Sequence, residues 1–190
     1  MAIFSAIADK EAVPARPRKV VALHWLTVLC LLGAAAAILV RDETASRAAR
    51  QWLLEIHRHF GLFVLALFFI RVAVRIRSDK LPAVGRTSPA MRAAAVLVHT
   101  ALYALLLVQP LLGWTLSSAE GKPVHLFGLT LPALVAADED LADTLQTWHQ
   151  QVAWLLLGLI LLHVAAALWH HFILRDGVLR AMFLQRQHED

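Results

Sequence analysis

The sequence predicts an all-α fold: an integral membrane four-helix transmembrane bundle with both termini cytoplasmic. Three observations carry this. Of the 190 residues, 59% are hydrophobic and 17% charged, whereas a soluble domain is about half apolar and a quarter charged. The excess, with a mean hydropathy of +0.61, gathers into four blocks that each reach the roughly 20 residues a membrane helix needs. Lysine and arginine, finally, fall unequally on the two sides those blocks define.

The first block runs from about Val20 to Val40. Its basic flank and Ala34–Ala37 also suit a secretory signal, but the apolar run is long and carries His24 near its start, so it reads as a helix. The second, about Trp52 to Val74, opens with EIHRHFG. The third, about Ala93 to Leu116, contains Pro110 and Gly113, which predict a kink whose freed backbone groups neighbouring helices take up. The fourth, about Thr147 to Leu174, contains His149, His163, His170 and His171. None alternates with period two, which argues against a β-barrel. No internal repeat or low-complexity tract breaks the chain, so residues 1–190 read as a single transmembrane domain.

Orientation follows from the basic flanks. Lys10, Arg16, Arg18, Lys19, Arg71, Arg75, Arg77, Lys80, Arg86, Arg92, Arg175, Arg180 and Arg186 fall on one side, 13 bases against 5 on the other: Arg41, Arg47, Arg50, Arg58 and Lys122. The richer side is cytoplasmic. Trp25 and Trp169 then lie near the inner interface, and Trp52, Trp114 and Trp148 near the outer one. The sequence pI of about 9.8 reflects this bias and does not argue for nucleic acid. Cys30 stands alone, so there is no disulfide framework, thiolate cluster or C-x-x-C-H haem attachment. Any metal centre rests on histidine.

Histidine is costly in lipid and rarely sits there without a partner. His163 follows His149 by 14 residues, about 21 Å along a helix and within about 40° of the same face. By depth, His163 matches His24 on the first helix, and His149 matches His57 on the second. Two pairs result, one near each surface, with the fourth helix contributing to both. Facing imidazoles in a helical bundle suit the axial positions of a b-type haem, which then transfers electrons without an open site for oxygen. Gly61, one turn after His57, lets a flat macrocycle approach the backbone. The competing readings are interhelical hydrogen bonding, the default for any single histidine, and zinc. Zinc prefers four ligands with carboxylate or thiolate help, and no acid lies in the apolar core. Two depth-matched pairs favour haem.

These residues give the chain its resemblance to the bacterial cytochrome b561 family, four-helix di-haem proteins of the inner membrane. HWL in the first helix, IHxxxG in the second, H…LY…P…G in the third, and WH with LHVAAALWHHF in the fourth occur in order over nearly the whole chain. The resemblance implies that His24 and His163 ligate the iron of an inner haem b, and His57 and His149 that of an outer one. It also implies an oxidoreductase activity of superoxide oxidase type, passing electrons from periplasmic superoxide to ubiquinone in a multi-pass inner-membrane protein. Related cytochromes b instead anchor dehydrogenases.

The remaining residues bear on how electrons enter and leave. His59 lies about 200° around the helix from His57, so the two cannot serve one haem, and His57 is the favoured ligand. On the outer side five bases face eight acids (Asp42, Glu43, Glu55, Glu120, Asp138, Glu139, Asp140, Asp143), a net of −3. That slows an incoming superoxide anion and favours a basic redox partner, unless Arg50, Arg58 and Lys122 cluster at the outer haem. Quinol-driven transfer to a periplasmic acceptor is therefore the alternative direction, and a haem-free metal carrier the remote one. His170, seven residues after His163, is the candidate quinone contact, because a quinone needs an apolar slot with a proton-exchanging donor. Arg71 or Arg75 is a possible second donor. His99 with Tyr103 reads as packing, a propionate contact or quinone lining, His171 as a headgroup anchor, and His125 and His188 as solvated.

Overall fold

A computed structural model describes residues 16–77 and 88–183. Lys10, Lys80, Arg86, Arg186 and His188 lie outside the described residues. Four long helices make up the fold: α1 (Arg18–Glu43), α2 (Arg47–Arg77), α3 (Pro89–Ala119) and α4 (Glu139–Trp169). A π-helical turn over His170–Leu174 extends α4, and a 3-10 turn at Arg180–Met182 follows. All four helices are long and apolar enough to cross a membrane, as expected of a multi-pass inner-membrane protein.

The first three helices outrun their apolar blocks at both ends, and α4 does so at its start. At about 1.5 Å per residue, the 31 residues of α4 exceed the roughly 30 Å hydrocarbon core. The start of α4 lies eight residues before the expected Thr147. Asp138 caps it, accepting from the Leu141 amide at 2.9 Å, and Glu139 and Asp140 place negative charge on its first turn, where the helix dipole favours it. Ser88 caps α3 in the same way, at 3.2 Å from the Met91 amide. Pro110 lies inside α3, which runs unbroken through it.

Sequential helices pack antiparallel: α1 on α2, α2 on α3, and α3 on α4. Leucines of α1 such as Leu29 and Leu39, 63% and 66% exposed, face outward, where lipid replaces water and costs nothing. The interior has two apolar clusters. Cys30, Val64, Leu67 and Leu106 join α1, α2 and α3 at mid-depth, and Leu116, Ala119, Ala142 and Leu145 join α3 to α4 at one end. The backbone of α4 packs closely on α3 but not on α1 or α2. Side chains rather than close backbone carry the meeting of α4 with the first two helices.

The antiparallel order sorts the charges. Arg16, Arg18, Arg75, Arg77, Arg92, Arg175 and Arg180 share one end, called here the basic end, while Arg41, Arg47 and Lys122 lie at the other. The basic end is tied shut by the Trp25 indole, which donates to the Met182 carbonyl at 2.8 Å and stacks near Phe183. At the opposite end a two-stranded hairpin, β1 (His125–Leu126) with β2 (Leu129–Thr130), leans on α2 through Phe127, whose ring lies 5.7 Å from Phe63 and 6.1 Å from His59.

Candidate functional site

Two histidine pairs join α4 to the first two helices. His24 of α1 meets His163 of α4 with ring centroids 6.3 Å apart. His57 of α2 meets His149 of α4 at 6.1 Å. In both pairs the ring planes cross at 82°. An imidazole nitrogen sits about 2 Å from a metal and about 1.2 Å from its ring centre, so two rings on opposite sides of one ion have centroids about 6.3 Å apart. The spacing suits a metal between each pair. Among the described residues no group of three or more His, Cys, Asp or Glu could hold a bare ion. Each pair could offer two imidazoles to a cofactor that brings its other metal ligands with it.

The neighbours of the His57–His149 pair show how it is built. His57 Nδ1 lies 2.9 Å from the Ala34 carbonyl of α1. A carbonyl only accepts, so Nδ1 carries the hydrogen and Nε2 keeps a lone pair, the tautomer an Nε2 metal ligand requires. Opposite, the Gln109 amide nitrogen of α3 donates to the His149 carbonyl at 3.1 Å and lies 3.2 Å from His149 Nε2. That leaves His149 Nδ1 and Gln109 Oε1 buried with no hydrogen-bond partner. Protein neighbours alone do not satisfy this ring, and unpaired polar atoms in a dry interior are costly. Gly113 of α3 gives the ring its place: a Cβ there would lie 3.1 Å from His149 Cε1. At Gly61 a Cβ would meet nothing within 4 Å, so open space lies one turn from His57.

His59 is turned away from this pair. Its Nδ1 bonds the Glu55 carbonyl at 2.7 Å and its ring faces Phe127. The nearby bases are engaged by acids: Arg58 bonds Glu55 at 2.6 Å, Lys122 bonds Glu120 at 3.0 Å, and Arg41 bonds Asp42 at 2.9 Å. Arg58 and Lys122 do not form a free basic cluster.

The His24–His163 pair has further polar company. His99 of α3 comes within 5.3 Å of the His163 ring centre, making a third imidazole in the group. Arg71 of α2 reaches back to α1, donating to the Thr27 hydroxyl at 3.2 Å, and its guanidinium lies 5.3 Å over the Tyr103 ring. Thr27 is 3% exposed and gives its own hydrogen to the Leu23 carbonyl, so its lone pairs are free to accept. No carboxylate among the described residues pairs with Arg71. His170 lies in the π-turn, 2.5 Å from Asp176. Gln109, the Ala34 carbonyl and Asp176 carry no signal in the sequence, and Gly113 stands there only as a kink residue and a motif glycine. The tertiary register of α3 and the reversal after α4 put them beside the histidines.

Comparison with known proteins fits this arrangement. Residues 15–185 match the family described as prokaryotic cytochrome b561. The chain is 32% identical over 167 residues to a probable superoxide oxidase CybB of Yersinia pestis, covering 88% of this chain and 94% of that protein. It is 33% identical over 171 residues to cytochrome b561 homolog 2 of Escherichia coli K12, covering 85% and 87%. With cytochrome b561 homolog 1 of the same organism it shares 31% over 167 residues, covering 87% and 94%.

Proposed function

The chain belongs to the prokaryotic cytochrome b561 family, a haem b-binding family of membrane electron-transfer proteins, and from that premise we propose that it is a superoxide:ubiquinone oxidoreductase. The net reaction joins two superoxide anions, one quinone and two protons into two dioxygen molecules and one quinol. His57 with His149, and His24 with His163, would each hold one haem b, which supplies a reversible one-electron centre. The observation that carries this reading is the pair of centroid spacings, 6.1 and 6.3 Å, with the buried unpartnered Nδ1 of His149 beside one of them.

The chain's own residues divide the work. The Ala34 carbonyl fixes the His57 tautomer, and Gly113 and Gln109 seat His149. Gly61 leaves room for the macrocycle. Arg71 holds a positive charge by the His24–His163 group, where it favours the electron-rich state and can face a haem carboxylate. The basic end is cytoplasmic by the positive-inside rule. His170, about two turns beyond His163, contacts the quinone there, with Arg71 or Arg75 as second donor.

Stopped-flow absorbance tests the reading. Oxidised protein mixed with superoxide develops reduced b-haem bands, superoxide dismutase suppresses them, and ubiquinone reverses them. No reduction by superoxide, in protein that quinol does reduce, overturns the superoxide arm. A second reading, quinol-driven transfer to a basic periplasmic acceptor, is favoured by the engagement of Arg41, Arg58 and Lys122 with acids, which leaves little free positive charge to steer an anion.

A further inference from the structure

We propose that His170 and Asp176 form a proton-transfer dyad at the basic end, with Asp176 as the positioning residue. The inference rests on the quinone reading above and adds a residue and a role that reading does not contain.

The geometry is local and unusual. After Trp169 the helix widens into a π-turn, a feature often found at functional sites. Arg175 then takes a left-handed conformation, φ 51°, which a non-glycine residue seldom adopts. The reversal brings the Asp176 carboxylate back onto the ring six residues earlier: Asp176 Oδ2 lies 2.5 Å from His170 Nδ1. Both side chains are largely shielded, 17% and 14% exposed. The other oxygen, Oδ1, accepts from the Val178 amide at 3.1 Å, so the carboxylate is held at both ends.

Ending the helix does not require this contact. The His170 carbonyl already accepts from the backbone N–H groups of Arg175 and Asp176. The carboxylate is additional, and its effect is on the imidazole. Holding hydrogen at Nδ1, it fixes the ring and leaves Nε2 as the exchanging nitrogen, as an aspartate does for a general-base histidine. Reducing one quinone to quinol takes two electrons and two protons. His170 Nε2–H gives a proton to a quinone oxygen, and the ring regains it from water at the basic end before the next transfer. Asp176 gives up no proton in the cycle. In the reverse direction neutral Nε2 takes the proton from a quinol hydroxyl.

The test uses haem-loaded full-length protein, reduced with dithionite, freed of excess reductant and mixed with a short-chain ubiquinone. In Asp176→Asn the limiting rate of haem reoxidation falls at least tenfold, with half-saturating quinone changed less than about twofold, and Asp176→Glu recovers part of the loss. Haem content and thermal midpoint stay at wild-type values in both variants. Independently of turnover, nitrogen NMR of the reduced, diamagnetic protein labelled at histidine finds the Nδ1–H tautomer of His170 in wild type and its loss in Asp176→Asn. An Asp176→Asn protein that reoxidises at the wild-type rate overturns the dyad while leaving the quinone reading standing. Loss of rate together with haem or thermal stability, unrepaired by Asp176→Glu, overturns it as a structural contact. A wild-type protein that quinone does not reoxidise overturns the quinone reading, and the dyad with it.

Discussion

Single side chains decide which histidines serve the proposed haems. His57 and His59 are two residues apart, yet the first faces His149 and the second faces Phe127. His57→Ala is therefore expected to lose one haem per chain, while His59→Ala keeps both, as counted by pyridine haemochrome against protein mass. The reverse result would put the register of α2 in error. Gly113 makes a subtler case. A methyl group there comes to 3.1 Å from His149 Cε1, closer than nearly all carbon contacts, so the ring must turn. Gly113→Ala should alter the spectrum and midpoint of one haem and leave the other unchanged in a redox titration. Arg71 is a charge in an apolar span with a hydroxyl and a ring for company, and such a charge is costly unless something anionic or reducible draws on it. Arg71→Gln is expected to lower the midpoint of the haem held by His24 and His163 by tens of millivolts, with Arg71→Lys close to wild type.

At the scale of elements, what could be read from the chain depended on how local its cause was. Four helices follow from four apolar runs, because a backbone in lipid has few other ways to satisfy its hydrogen bonds. The grouping of His149 and His163 on one face is likewise local, a matter of 14 residues and a fixed helical pitch. The ends were less legible. The polar first turns of α4 lie outside the apolar block, and only the Asp138 cap, with Leu141 three residues on, marks their start. That cap also changes the meaning of the acidic loop. Asp138, Glu139 and Asp140 have a structural cause at the helix N-terminus, so their charge by itself is weak evidence for a basic partner. Neutralising two acids of the first turns of α4 that do not cap it tests this: Asp140→Asn and Asp143→Asn together should leave the rate of haem reduction by superoxide within about threefold at physiological salt, where exposed charges are screened beyond roughly 8 Å. The partners of the pairs were not legible at all. Gln109 and Gly113 reach His149 only because α3 packs on α4 in one register, and Ala34 offers its carbonyl to His57 only because α1 crosses α2 where it does. Asp176 follows a chain reversal that no periodicity announces.

Across the whole molecule, α4 is the common wall of both sites, and its imidazoles meet one from α1 and one from α2. If haem irons occupy both pairs, the 14-residue interval sets them about 21 Å apart along the helix, one near each membrane face. The crossed ring planes, 82° in each pair, add a spectroscopic consequence. Parallel axial imidazoles push one of the two iron π-orbitals above the other, whereas crossed rings act on both alike and leave them nearly equal in energy. The oxidised protein should then show two strongly anisotropic low-spin ferric signals in frozen-solution electron paramagnetic resonance, with dipolar coupling that corresponds to about 21 Å. Ordinary rhombic signals would mean that the rings rotate when haem binds, and the Ala34 and Gln109 contacts would then not fix the ligand planes. Signals of the expected kind that disappear pairwise, one with His57→Ala and the other with His24→Ala, would tie each signal to its own pair of helices. Electron transfer across the membrane would then depend on α4 holding both sites in one rigid element, so that a change in its tilt shifts both together.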